Sequence, residues 1–191
     1  DFLVREGAEV HVPGLVDFCL YCVYNGIVDY KLYGRGRWSH CANWAAYRFL
    51  CKKKNDMCRA IASDGRFIPP TPFERTVQLC RNYIGIGTKM GEGWLLTAEM
   101  LELAENGVKN IVCTQPFGCL PNHICGKGMM KPIKARNPDV NIVAIDYDSG
   151  AAKVNQENRL KLMLANARRV QSETHRERPQ TGASVSTGTE R

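Results

Sequence analysis

At 191 residues and 44% hydrophobic, the chain is long enough for one domain with a genuine core and too apolar to be disordered throughout. Its nine cysteines show neither a hydrophobic leader nor an evenly spaced disulfide framework, so they are expected to be cytoplasmic thiols or metal ligands. No run of about 18 apolar residues is present to span a membrane. The net charge of +7 comes without a recognition helix, zinc finger or aromatic RNA-binding signature, which ranks a solvated surface or an anionic cofactor above DNA or RNA.

The opening "DFLVREGAEVHV" reads as the end of a helix, a Gly7 terminator and a strand "AEVHVPG", the second half of an αβ unit. The chain is therefore expected to be cut from something longer. "LVDFCLYCVYNGIVDY" is an apolar, aromatic helix, and "RWSHCANWAAYRFLCKKKNDMCRAIA" is a second, basic one. "SDGRFIPPTPFERTVQLCRNY" is a Pro-rich turn into a third, so residues 1–83 form a partial αβ unit with a helical cap or insertion.

From residue 84 to 165, strands and helices alternate. "YIGIG" is read as a short strand, and "GEGWLLTAEMLELAEN" as a helix with Glu99, Glu102 and Glu105 on one exposed stripe. "VKNIVC" and "VNIVAIDY" are strands flanking the short helix "GKGMMKPIKAR", and "AAKVNQENRLKLML" is a last amphipathic helix. Such alternation implies an α/β fold with right-handed βαβ crossovers and a parallel sheet. From about Asn166 the helix is expected to fray into a disordered tail over residues 166–191.

In a parallel sheet, ligands bind at the carboxyl ends of the strands. That edge collects "GTKMGEG", "TQPFGCLPNH" and "DYDSG". The first is neither a dinucleotide fingerprint nor a P-loop, because Met90 stands where a glycine is needed and no G-K pair follows. It is a Gly-rich turn, either simply tight or an anion site at a helix N-terminus. In the second, Cys113 ends a strand and is expected to be buried, and Cys125 opens the next helix. Pro116, Gly118 and Pro121 keep the three thiols from sharing a helix face. Cys119, bracketed by Gly118 and Pro121, is the exposed one: a metal ligand, a reactive thiol or a plain loop cysteine. His123 shares this loop without a partner spacing. Asp146 and Asp148 are read first as helix caps. Cys19 and Cys22 form a C-x-x-C with no second pair, among apolar neighbours, and are read as packed core thiols, as are Cys41, Cys51, Cys58 and Cys80.

The stretches "GEGWLLTAEMLELAENGVKNIVCTQPFGCLPNHICGKGMMK" and "NPDVNIVAIDYDSGAAKVNQENRLKLML" closely resemble the carboxyl-terminal part of activase-related acyl-CoA dehydratase proteins. These are relatives of the 2-hydroxyacyl-CoA dehydratase, benzoyl-CoA reductase and double-cubane cluster superfamily. The match runs from about Gly91 to Leu164, with a weaker likeness through "EGAEVHVPGLVDFCLYCVYN" and "RFIPPTPF". The resemblance implies a Rossmann-like, flavodoxin-like domain and an iron–sulfur cluster, 4Fe-4S or double cubane, held between subdomains. Cys119 in "FGCLP" is the ligand it implies here, with the other cysteines outside this chain. Family members pair with an ATP-hydrolysing activase that injects a low-potential electron into an acyl-CoA or other small substrate. This chain has no ATPase phosphate loop, so alone it is expected to be inactive. Gln115, Asn122 and Gly118 would then serve the thiolate, while Gly91, Glu92 and Gly93 would bind an anion or support a subunit contact. A docking module without a cluster is the alternative.

Overall fold

The computed structural model describes residues 1–34, 36–148, 150 and 152–177. Its elements are α1 (Phe2–Arg5), α2 (Leu15–Tyr33), α3 (Arg37–Asp64), α4 (Phe73–Cys80), α5 (Gly93–Glu105), β1 (Asn110–Pro116), α6 (Met130–Arg136), β2 (Asn141–Tyr147) and α7 (Lys153–Glu177). A π-helical turn, Asn122–Gly126, and a 3₁₀ turn, Lys127–Met129, lead into α6. The fold mixes helix with a two-stranded parallel sheet in which Asn110 pairs with Asn141 and Pro116 with Tyr147.

The alternation along the strands decides what covers each face. Ile111 and Ile142 point into the main core with Trp94, Leu95, Ala98 and Leu101 of α5 and Ile133 of α6. Val112, Val143 and Ile145 face the other way and pack on Leu160 and Met163 of α7, joined there by Phe2 and Leu3 of α1. The main core continues through Phe73 and Val77 of α4 to Leu20 and Tyr21 of α2, so this cluster draws on residues before and after residue 84.

Two expected strands are not formed. "YIGIG" is a series of turns in which the amides of Tyr83 and Ile84 donate back to the Cys80 carbonyl at 2.8 and 2.9 Å, while Tyr83, Ile84 and Ile86 still pack on the core. Its apolar residues satisfy burial without a ladder, because Gly85 and Gly87 weaken strand pairing between them. "AEVHVPG" runs as irregular chain with Val10 and Val12 exposed, and among the described residues it has no strand beside it. Its alternation suits a strand, but alternation stabilises a strand only against a neighbour. At the other end α7 does not fray at Asn166 but continues to Glu177; the remainder of the expected tail lies outside the described residues.

The α2–α3 hairpin closes across several contacts along its length. Tyr30 stacks on His40 with ring centroids 4.3 Å apart, Gly26 lies under Asn43, and the Lys54 ammonium meets the Asp17 carboxylate at 2.5 Å in a buried pair. A β-carbon on Gly26 would sit 2.2 Å from the Asn43 amide, so glycine there sets how closely the two helices approach.

The stripe on α5 is not the solvated face its charges suggested. Glu105 is exposed and ion-paired to Arg75, but Glu102 is half-buried and accepts from the Thr76 hydroxyl at 3.0 Å and the Thr71 amide at 3.3 Å. Helix α4 supplies the Thr76 hydroxyl, and the turn before it supplies the Thr71 amide. Glu99 is half-buried too, and its carboxyl is pushed up to about 8, first by burial and then by Glu92, Asp17 and Glu102. A carboxyl raised in the folded state holds its proton where the unfolded chain has lost it, so it takes away stability as pH rises from the ordinary glutamate value toward 8. Glu99→Gln is therefore expected to match wild type near pH 5 and to exceed it at pH 8 by about 2–4 kcal/mol. Urea melts at the two pH values check this; equal pH slopes for the two proteins would refute it.

Candidate functional site

The two strands end side by side, Gln115 opposite Asp146, and the Phe117 amide extends the pairing by donating to the Tyr147 carbonyl at 3.0 Å. Beyond Phe117 the chain must reverse within a few residues. Gly118 does this at φ +73°, a left-handed conformation that strains any residue with a β-carbon, and the Cys119 amide closes the turn onto the Pro116 carbonyl at 3.2 Å. The Cys119 carbonyl then accepts from the His123 amide at 3.0 Å and from His123 Nδ1 at 2.9 Å. Because a carbonyl only accepts, Nδ1 carries the ring proton, and the ring is locked over the loop.

The Cys119 thiol is half-exposed, and it receives a hydrogen bond from Asn122 Nδ2 at 3.1 Å. Asn122 itself is only 7% exposed, so its amide is aimed by packing. Beneath lies a polar cluster. Gln115, 1% exposed, donates through Nε2 to the Asp146 carboxylate, and the same nitrogen lies 3.5 Å from His123 Nε2. Asp146 also faces His123 Nε2 at 3.8 Å and Lys127 Nζ at 3.6 Å. The Gln115 hydrogen bond, with help from Lys127 and His123, holds the Asp146 carboxyl below the usual range. Asp146 is thus a tether between the strand ends and the cysteine loop rather than a helix cap. Gln115 Oε1 is buried with no hydrogen-bond partner among the described residues.

The three loop cysteines do not converge. Cys113 is buried under Gly126, where an added β-carbon would lie 2.9 Å from its sulfur, and Cys125 is buried in the π-helical turn with its carbonyl accepting from Thr97 Oγ1 at 2.6 Å. Burial pushes both thiols up, away from the thiolate form a metal needs. Among the described residues no three His, Cys, Asp or Glu side chains are placed to hold a metal ion.

The glycine loop does come to this edge. A β-carbon on Gly91, φ +59°, would stand 3.0 Å from Pro121 Cγ, and one on Gly93, φ +43°, would stand 2.3 Å from the Thr88 carbonyl oxygen and 2.6 Å from the Tyr21 hydroxyl. The amides of Gly93, Trp94 and Leu95 are already spent on Met90, Thr88 and Glu92 carbonyls at 3.1, 2.8 and 2.9 Å. The first turn of α5 therefore has these donors occupied, and the tight-turn reading accounts for the glycines without an anion. Glu92 stands at the N-cap of α5 but makes no side-chain capping bond.

Cys19 and Cys22 correct the expectation of core thiols: both are exposed. Helix α2 buries Leu20, Tyr21, Ile27 and Val28, and the cysteines fall on the opposite face. Cys41 is exposed as well, Cys51 and Cys58 are half-buried, and Cys80 alone of that group is buried as expected. Two roles went unread in the sequence: that of His123, named there only as a neighbour in the loop, whose ring anchors it, and that of Lys54, hidden in a basic run that reads as surface. Compared with known protein families, curated proteins and solved structures, the chain matches none.

Proposed function

We propose that this chain is the part of an iron–sulfur electron-transfer protein, related to the 2-hydroxyacyl-CoA dehydratases and their activase-coupled kin, that supplies one cluster ligand, Cys119. The observation that carries the reading is the half-exposed Cys119 sulfur, which takes a hydrogen bond from the packed Asn122 amide at the carboxyl end of a parallel strand. An N–H aimed at sulfur stabilises thiolate and tunes the potential of the cluster it binds. The β1–α6–β2 crossover is read as one βαβ element of a Rossmann-like sheet. Such a cluster would supply one-electron chemistry when bound.

The residues of this chain do the positioning. Gly118 turns the loop outward, His123 and Asp146 hold it against the strand ends, and Gln115 ties the two strands together at the base. Met90, Phe117, Leu120 and Ile124 are exposed apolar side chains on the same loops, suited to excluding water once a partner closes over the thiol. The same rim favours the second reading, a docking module with no cluster.

The test is iron and acid-labile sulfide in anaerobically purified protein joined to the cysteine-bearing region that would complete the site. Wild type is expected to bind a cluster that Cys119→Ala loses, with the folded far-UV signal kept. Iron retained by the variant removes Cys119 as a ligand, and no iron in either protein leaves the docking reading.

A further inference from the structure

We infer that the outward face of α3 is a binding surface for single-stranded nucleic acid. Helix α3 is 28 residues long and carries Arg37, Arg48, Lys52, Lys53, Lys54 and Arg59 against Asp56 and Asp64; Lys54 is its only buried residue. The inner face is used by the hairpin and by α4, through Tyr47, Leu50 and Cys51. The outer face holds what a soluble helix ordinarily hides. Trp38 is 90% exposed, and Trp44 and Phe49 are exposed with it.

These rings and the cations share one face. At about 100° per residue, Trp44, Arg48, Lys52, Trp38, Phe49 and Lys53 follow one another around roughly half the helix, and Trp38 and Phe49 lie about 16 Å apart along the axis. Arg48 sits over the Trp44 ring at 4.8 Å and Lys53 over the Phe49 ring at 5.6 Å, so each of these aromatic surfaces has a positive charge beside it. Beside them a groove of about 510 Å³ is lined by Arg48, Phe49, Lys52 and Arg59 together with Tyr47 of the inner face; Arg59 is ion-paired to Asp56 at 2.8 Å. The one carboxylate lining it, Glu74, is engaged by the Tyr47 hydroxyl at 2.9 Å.

Aromatic rings interleaved with cations are what a single strand needs, bases on the rings and phosphates on the charges. A helix that lies on a membrane separates the two, apolar on one side and basic on the other. Here the opposite side of the helix is already packed on protein, and Asp56 stands among the exposed aromatics. Duplex readout is not favoured either, since a helix flanked by bulky indoles presents few side chains that reach base edges.

The experiment uses the full chain and an oligodeoxythymidine of about 15 nucleotides. Binding is expected at about 50 mM salt with protection of tryptophan emission from acrylamide, and with a slope of log affinity on log salt near −2 for three phosphate contacts. Trp38→Ala and Trp44→Ala are each expected to weaken binding about fivefold or more. Lys52→Gln with Lys53→Gln should cut the salt slope to about −0.7. All four positions are exposed, so the variants are expected to keep the wild-type melt. The inference is overturned if no binding occurs at low salt, if the tryptophan variants bind as wild type does, or if phosphatidylserine vesicles bind more tightly than the oligonucleotide and displace it.

Discussion

Trp94→Ala is expected to destabilise the protein by about 3–5 kcal/mol, measured as a fall in urea midpoint at unchanged slope. The indole is 0% exposed and stands where α2, α4 and α5 meet, with ring centroids 5.0 Å from Tyr21, 6.1 Å from Tyr24 and 6.2 Å from Phe73. Its Nε1 donates to the buried Asn25 Oδ1 at 3.1 Å, so truncation opens a cavity and leaves an amide oxygen unpaired. Trp94→Phe keeps most of the volume and loses the hydrogen bond, and a cost of about 1–2 kcal/mol is expected. If both variants cost the same, packing is not what holds the three helices. Against a total stability on the order of 5–15 kcal/mol, the alanine variant removes a large share.

Lys54→Met is the second large effect. The Asp17 carboxyl is already pushed up by burial, against the pull of Lys54, and removing the ammonium leaves a buried charge with no counterion. A loss of about 3–5 kcal/mol at pH 8 is expected. The sign with pH follows from the same cause: without Lys54 the carboxyl keeps its proton in the folded state to higher pH, so the defect shrinks toward pH 5. Asp17→Asn combined with Lys54→Met removes both charges and is expected to recover most of the loss. A double variant as unstable as the sum of the singles would show that the pair is not coupled.

Much of the helical fold was legible, and for one reason. Helices α2, α3, α5 and α7 carry their own period and their own hydrogen bonds, so a local window reads them. The strands split according to whether they found neighbours. "VKNIVC" and "VNIVAIDY" pair with each other, whereas among the described residues "AEVHVPG" and "YIGIG" pair with no strand. The faces of helices were read less well, because Cys19 and Cys22 among apolar neighbours look buried until Leu20 and Tyr21 turn the other side inward. Glu99 and Glu102 look solvated for the same reason, yet Glu99 is half-buried and Glu102 is met by Thr76 of α4. At the candidate site the special position of Cys119 followed from its glycine and proline neighbours. The tether from Gln115 to Asp146 and the His123 anchor join residues far apart in the chain or without a recognisable spacing, and only the folded strands bring them together.

The doubly bonded carbonyl of Cys119 has a consequence for how anything arrives at its sulfur. With the His123 amide and ring both fixed on that carbonyl, and Asn122 already aimed at the thiol, the loop has lost its conformational freedom during folding rather than on contact. Anything that bound the sulfur would meet a loop already held in place by these bonds. Its capture rate should follow diffusion and charge rather than loop rearrangement, and its departure alone should set how long it stays.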